Sequence, residues 1–184
     1  DVDALCDGDE VHIGGVMQHI EEAGIHSGDS ACVLPPYRIK AEALDEIIRI
    51  TNDLAMELNV LGLINIQFAY KGAKVYVLEV NPRASRTIPF VSKTTNVPLA
   101  RIAAQIATGK KLKDFNLPSW DMINHVSVKE AVLPFNKFPE ESIFLSPEMK
   151  STGEVMGISK TFGESFKRAI ISSGNKIFYK GTVF

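Results

Sequence analysis

Ile64-Asn65-Ile66-Gln67-Phe68-Ala69-Tyr70-Lys71-Gly72-Ala73-Lys74-Val75-Tyr76-Val77-Leu78-Glu79-Val80-Asn81-Pro82-Arg83-Ala84-Ser85-Arg86-Thr87 is the stretch on which the reading of the chain turns. Two runs rich in Val, Ile, Phe and Tyr flank the short turn Lys71-Gly72-Ala73-Lys74, the signature of a β-hairpin. Side chains alternate along a strand, so Val75, Val77, Glu79 and Asn81 are expected on one face, and a tight turn at Gly72 sets Gln67 almost directly across from Glu79. Ile64, Ile66, Phe68, Leu78 and Val80 are expected to form the opposite, apolar face. A packed hairpin would then hold the polar trio Gln67, Glu79 and Asn81. One carboxylate with two amide oxygens suits a hard cation: Mg²⁺ takes oxygen ligands and completes its octahedron with water and substrate phosphate. The thiolates or paired histidines that zinc prefers do not accompany the trio. Arg83 and Arg86 follow at once, and their planar, permanently charged forks match phosphate and carboxylate oxygens. Metal ligands beside an arginine clamp are what phosphoryl transfer needs, because catalysis there is mostly positioning and charge neutralisation. Taken singly, a Gln and a Glu across a hairpin are more often a solvated pair, and lone arginines are more often surface charge. The whole string together favours the functional reading.

Working outward, Val11 to His19 reads as a strand interrupted by Gly14 and Gly15, and Ala31 to Leu34 as a second strand stopped by Pro35 and Pro36. The loop Gly24-Ile25-His26-Ser27-Gly28-Asp29-Ser30 lies between them. From Ala41, residues Leu44, Ile47, Ile48, Leu54, Ala55 and Leu58 recur at helical spacing opposite Glu42, Asp45, Glu46 and Arg49. This predicts an amphipathic helix lying on a sheet. Another helix is expected after Pro98, with Leu99, Ile102, Ala103 and Ile106 on one face and Gly109 as its stop. Val126 to Leu133 and Glu154 to Ile158 read as strands, and Phe162 to Ile171 as a helix. A new apolar run, Ile177 to Phe184, follows Ser173-Gly174-Asn175 and has the look of a cut in a longer polypeptide. Hairpins and helices mixed without regular βαβ units put the chain in the α+β class.

The chain has 184 residues and is 45% hydrophobic, enough for a real core. Its formal charge of −2, with acids and bases scattered along the chain, makes nucleic acid an unexpected partner. Cys6 and Cys32 have no ligand spacing around them and are expected to be reduced, which points to the cytoplasm. No apolar run approaches the roughly 20 residues of a membrane span, and Asp1 to Asp9 are acidic where a secretion signal would be basic.

The string Val77-Leu78-Glu79-Val80-Asn81-Pro82-Arg83-Ala84-Ser85-Arg86-Thr87 resembles the ATP-grasp ligases, in which a carboxylate and an Asn two residues later hold Mg²⁺ under the nucleotide's phosphates. Asn81-Pro82-Arg83 with Arg86 is most similar to the carbamoyl phosphate synthetase large subunits. Other stretches resemble the same family: Glu21-Glu22-Ala23-Gly24-Ile25-His26-Ser27-Gly28-Asp29-Ser30, Phe90-Val91-Ser92-Lys93, Leu133-Pro134-Phe135-Asn136-Lys137-Phe138, and Pro147 through Gly157. Those subunits are tandems of two synthetase halves. The forms His-Ser-Gly-Asp-Ser and Asn-Pro-Arg-Ala-x-Arg-Thr resemble the C-terminal half, which phosphorylates carbamate, whereas the first half tends to carry His-Thr-Gly-Asp.

This resemblance implies an ATP-grasp C-terminal lobe, an antiparallel sheet with flanking helices. It implies that residues 1–173 are the nucleotide- and metal-binding lobe without its preceding lid lobe, and that 174–184 begin a C-terminal regulatory domain. It implies ATP-dependent formation of carbamoyl phosphate for arginine and pyrimidine synthesis, with the fragment inactive alone. Gln67 and Glu79 would bind metal and phosphate, Asn81 would complete a second metal site, and Arg83 and Arg86 would hold the carbamate and the transferred phosphoryl group. Gly24, Ile25, His26 and Ser27 would line the nucleotide's sugar and base, although His26 in a Gly-rich turn, taken alone, is more often structural. His12, His19 and His125 receive no role. The implied cofactors are ATP, Mg²⁺ or Mn²⁺, and K⁺ with ligands unassigned. The implied partners are a glutamine-hydrolysing small subunit and the rest of the large subunit, with carbamate or bicarbonate and ammonia as substrates. Two other readings fit the residues: a carboxyphosphate-forming or biotin carboxylase-like unit, and a non-catalytic interaction module.

Overall fold

Alternation of Val2, Ala4 and Cys6 with Asp3, Leu5 and Asp7 makes β1 (Val2–Asp7) a wholly buried strand. The acidity of this stretch hid it from the pattern reading. In the computed structural model, which describes residues 1–135, 137, 140 and 142–177, β1 is central to its sheet. It pairs antiparallel with β2 (Val11–Val16) on one side and with β5 (Leu61–Lys71) on the other. The hairpin partner β6 (Lys74–Asn81) lies outside β5, giving the order β2-β1-β5-β6. The second sheet has the order β3-β4-β7-β8, from β3 (Gln18–His19), β4 (Cys32–Leu34), β7 (Val126–Val132) and β8 (Gly153–Ser159). The expected strand over Val11 to His19 is thus divided in two at Met17.

Two compact units result: residues 1–18 with 34–123, and residues 19–33 with 124–184. In the first, α1 (Ala41–Glu57) buries Ala43, Ile47, Thr51 and Ala55. Ala55 joins Ala4, Cys6, Val60, Ile64 and Ile66 in one apolar cluster, and Ile47 joins Val2, Val16 and Trp120 in another. Leu58, expected on the buried face of this helix, lies just past its end and is half exposed. The helix α3 (Leu99–Ala107) buries Leu99, Ile102 and Ile106 and stops before Gly109, whose φ of 102° suits glycine. A helix that the sequence pattern did not show, α2 (Ile88–Thr95), runs from the end of the Arg83–Thr87 segment to Asn96, which sits at φ 57°. In the second unit, α4 (Phe162–Ser172) covers one side of β7 and β8, with Val33, Val128 and Ala169 at its core. Among the described residues no helix is long and apolar enough to cross a membrane. Residues 178–184, which hold most of the expected final strand Ile177 to Phe184, lie outside the described residues.

Candidate nucleotide and metal site

Gln67 stands opposite Glu79, as expected from the turn, and Asn65 stands opposite Asn81. Simple alternation does not produce it. The ladder passes from Gln67↔Glu79 to Phe68↔Val77, so Leu78 is an extra residue, a β-bulge that re-aims the strand. The expected face of Val75, Val77, Glu79 and Asn81 is therefore corrected. Val75 packs into the Val2–Val16–Ile47–Trp120 cluster together with Phe68, and Val80 packs with Ala4, Ile64 and Ile66. Two residues separated by an odd step both reach the apolar side, which only the bulge allows. Leu78, expected on that side, is 54% exposed. The bulge leaves Glu79 exposed and Gln67 and Asn81 half-buried, so the trio is held by the hairpin yet open to a ligand.

The row extends across a third strand. Asp3 is the register partner of Asn65, so Asp3, Asn65 and Asn81 lie side by side on β1, β5 and β6. Asp3 is fully buried and Asn65 nearly so. Asn65 Nδ2 donates to Asp3 Oδ1 at 2.8 Å and to Asp1 Oδ1 at 2.7 Å. Ser85 Oγ donates to Asp3 Oδ1 at 2.8 Å, Thr87 Oγ1 to Asp3 Oδ2 at 2.5 Å, and the two hydroxyls are 2.7 Å apart. Burial pushes the Asp3 carboxyl above its ordinary range, while the donors Thr87, Asn65 and Ser85 pull against that push. The segment carrying Arg83 and Arg86 is thus tied down at Ser85 and Thr87. Arg83 is exposed and Arg86 half-buried. The Arg83 N–H donates to the Asn81 carbonyl at 2.8 Å, turning the chain directly after the last expected metal ligand. Asp3, Ser85 and Thr87 were missed by the sequence reading, because their role lies in side-chain hydrogen bonds that cross more than 80 positions.

The loop Gly24-Ile25-His26-Ser27 belongs to the other unit and is held by local bonds together with distant ones, among them His26 N–H to the Ser146 carbonyl at 3.0 Å. His26 Nδ1 accepts the Gly28 N–H at 3.0 Å, and the His26 carbonyl accepts from Asp29 N and Ser30 Oγ. The imidazole therefore shapes the turn. Ser27 offers its carbonyl to Lys129 Nζ at 3.1 Å, and that lysine is 1% exposed. Nearby in the chain, Glu21 Oε2 is buried and makes no hydrogen bond among the described residues. Burial, with the Glu21 charge adding to it, pushes the Glu130 carboxyl up.

The donor chemistry of the hairpin fits a small hard cation. Among the described residues no three of His, Cys, Asp and Glu gather as a metal cluster. One carboxylate flanked by two amide oxygens leaves most of an octahedron to water and phosphate, as Mg²⁺ prefers.

Residues 4–115 match the family described as carbamoyl-phosphate synthase L chain, ATP binding domain. The chain belongs to that family. Its relatives include the carbamoyl phosphate synthase large chain of Archaeoglobus fulgidus, 59% identical over 184 residues, covering 100% of this chain and 17% of that protein. The large chain of Methanosphaerula palustris is 56% identical, and that of Pseudomonas syringae pv. tomato 55% identical, each with the same coverage of 100% and 17%. The chain thus spans 17% of the length of these curated relatives. A solved biotin carboxylase domain of a single-chain bacterial carboxylase superposes with a TM-score of 0.58 at 19% identity, covering 73% of this chain and 32% of that one. Identity that low speaks for fold alone, and the fold is the expected one: α+β and ATP-grasp-like, with antiparallel sheets and flanking helices.

Proposed function

We propose that this chain is the metal- and phosphate-binding lobe of the carbamate-phosphorylating, C-terminal synthetase half of a carbamoyl phosphate synthase large chain, with residues 1–173 as that lobe and 174–184 opening the next domain. The observation that carries the reading is the in-register row Gln67↔Glu79 and Asn65↔Asn81 running straight into a segment with Arg83 and Arg86. Glu79 would supply carboxylate oxygens and Gln67 and Asn81 amide oxygens to Mg²⁺ or Mn²⁺. A cation held there would offset the negative charge of the nucleotide's phosphates. Arg83 and Arg86 would hold the carbamate and the transferring phosphoryl group. A carbamate oxygen attacks the γ-phosphorus of ATP, the bond from that phosphorus to the bridging oxygen breaks, and ADP leaves. Gly24, Ile25, His26 and Ser27 would line the sugar and base. Glu21 Oε2, buried and without a hydrogen bond among the described residues, would be one oxygen available to K⁺.

A glutamine-hydrolysing small subunit, ammonia as a precursor, and a place in arginine and pyrimidine synthesis complete the proposal. Cys6 and Cys32 are both buried and without Cys/His ligand spacing, which accords with a reducing, cytoplasmic setting.

The test uses the parent large chain, following ATP formation from MgADP and carbamoyl phosphate. Glu79→Gln removes the one carboxylate of the trio and is expected to lower this rate more than a hundredfold, about 3 kcal/mol of transition-state stabilisation. ATP formation that survives the change would return the hairpin to a structural role. A parent that hydrolyses ATP with bicarbonate yet makes no ATP in this direction would move the chain to the carboxyphosphate-forming half.

A further inference from the structure

Within the first unit, a single side chain touches two of the three segments that present a proposed ligand or clamp, and lies one residue from the third. Asp3 lies on β1, the strand next to β5, and takes three donors: the amide of Asn65 and the hydroxyls of Ser85 and Thr87. Asn65 is the direct neighbour of Asn81 and sits two residues from Gln67. Ser85 stands between Arg83 and Arg86, and Thr87 is the residue from which α2 starts. Thr87 makes no side-chain bond to its own helix, the usual use of a threonine in that place, and its hydroxyl donates to Asp3 instead. A buried carboxylate is expensive to keep unless its oxygens are occupied, and here both are.

We infer that Asp3 is a positioning residue for phosphoryl transfer, fixing the Arg83–Arg86 segment through Ser85 and Thr87 while bracing the Asn81 end of the metal row through Asn65. This rests on the function proposed above. The arrangement works through hydrogen bonds and does not need the charge as such. Asn at position 3 keeps an oxygen for Asn65 and Ser85, and its amide can donate to Thr87 Oγ1, which then donates to Ser85. Ala at position 3 removes the acceptor that joins the three, leaving the Asn65 amide to Asp1 and the two hydroxyls to each other, with nothing tying the arginine segment to β1.

In the parent large chain, ATP formation from MgADP and carbamoyl phosphate separates the outcomes. Asp3→Ala is expected to lower kcat about a hundredfold, the effect of misplacing a clamp by about 1 Å, with KM for MgADP changed less than twofold. Asp3→Asn is expected to recover most of that loss. Ser85→Ala, which removes one tether from a segment at the surface, is expected to lower kcat about tenfold by itself and to add nothing in the Asp3→Ala background, since coupled residues are not additive. A purely structural Asp3 would lower stability and leave the kcat of the folded enzyme and the Ser85→Ala rate at the parent level, and that result overturns the inference. If Asp3→Ala does not fold, Ser85→Ala with parent kcat overturns it equally. Loss of activity in Glu79→Gln together with full activity in Ser85→Ala and Asp3→Ala sinks the positioning role alone. Full activity in Glu79→Gln sinks the underlying function.

Discussion

At Gly157 in β8 a hydrogen atom is all the space allows. A Cβ there would collide with the Ser165 carbonyl oxygen, and would lie 2.6 Å from the Ala169 nitrogen and 2.8 Å from Arg168 Cβ, all on α4. Two of these three are backbone atoms of a helix and cannot swing aside. Gly157→Ala must therefore push α4 off the sheet, disturbing the core of Val33, Val128 and Ala169. A loss of about 3 kcal/mol is expected, at the upper end of overpacking costs. Urea unfolding of the 184-residue chain followed by circular dichroism checks it, and a loss under about 1 kcal/mol would mean that α4 has freedom to retreat. Gly15 gives the contrast. Its Cβ would meet Leu34 Cδ1 at 2.6 Å and Val91 Cγ1 at 3.0 Å, both ends of side chains that can rotate. Gly15→Ala is expected to cost roughly half as much in the same assay.

At the scale of elements, the hairpin shows what residue types reveal and what they conceal. Gly72 and Ala73 sit at φ 57° and 68°, the left-handed pair of a two-residue hairpin turn whose twist matches its strands. Glycine takes this conformation freely, but an alanine there is strained by roughly 1 kcal/mol. Ala73→Gly is expected to raise stability by about 0.5–1 kcal/mol, read as a higher urea midpoint, with unchanged ATP formation in the parent chain. A lower midpoint would show that the turn's stiffness outweighs the relief. Turn position and length, and with them the Gln67↔Glu79 pairing, were legible because Gly72 punctuates two β-branched runs. The bulge was not legible. Leu78 is a good strand residue, and only the packing of Val75 and Val80 on the same side reveals the missed step. The helix α2 was hidden for a related reason: its Ile, Pro, Val and Thr residues are poor helix formers, and burial of Ile88, Phe90, Val91, Thr94 and Thr95 overrides that preference. The site's ligands could be named from one string, whereas its support at Asp3 needs a strand pairing 62 residues away in sequence.

On the scale of the whole molecule, each unit contains one buried aspartate that gathers distant backbone, and this sets the chain's response to acid. Asp29 accepts the N–H groups of Lys150 and Ser151, both at 2.8 Å, in the second unit. Asp7 in the first accepts Asp9 N at 2.9 Å and Glu10 N at 2.8 Å, and takes Leu112 N at 2.6 Å across 105 positions. Burial pushes both carboxyls up, but the donated N–H groups outweigh it and hold each below its ordinary value of 3.8. A carboxyl lowered in the folded state binds fewer protons there than in the unfolded chain while the pH lies near or below 3.8. Its stabilisation is complete above that value and drains away as the pH falls through the lowered folded one. Trp120, the chain's one tryptophan, is buried with Val2, Val16 and Ile47 and reports on the unit that holds Asp7. Its fluorescence should show a urea midpoint that declines below about pH 6.5, where the unfolded chain protonates a His12 that burial keeps neutral, and falls further toward pH 3 as Asp7 takes up its proton, with Asp3 opposing that last fall. In Asp7→Asn the midpoint at pH 7 should drop by the equivalent of about 2 kcal/mol, the scale of hydrogen bonds to a charged acceptor, and the acid fall should be shallower because this group no longer titrates. An Asp7→Asn chain that keeps the parent midpoint at pH 7 and the same acid slope would mean that the Leu112 turn is held by its apolar contacts, with the carboxylate a bystander.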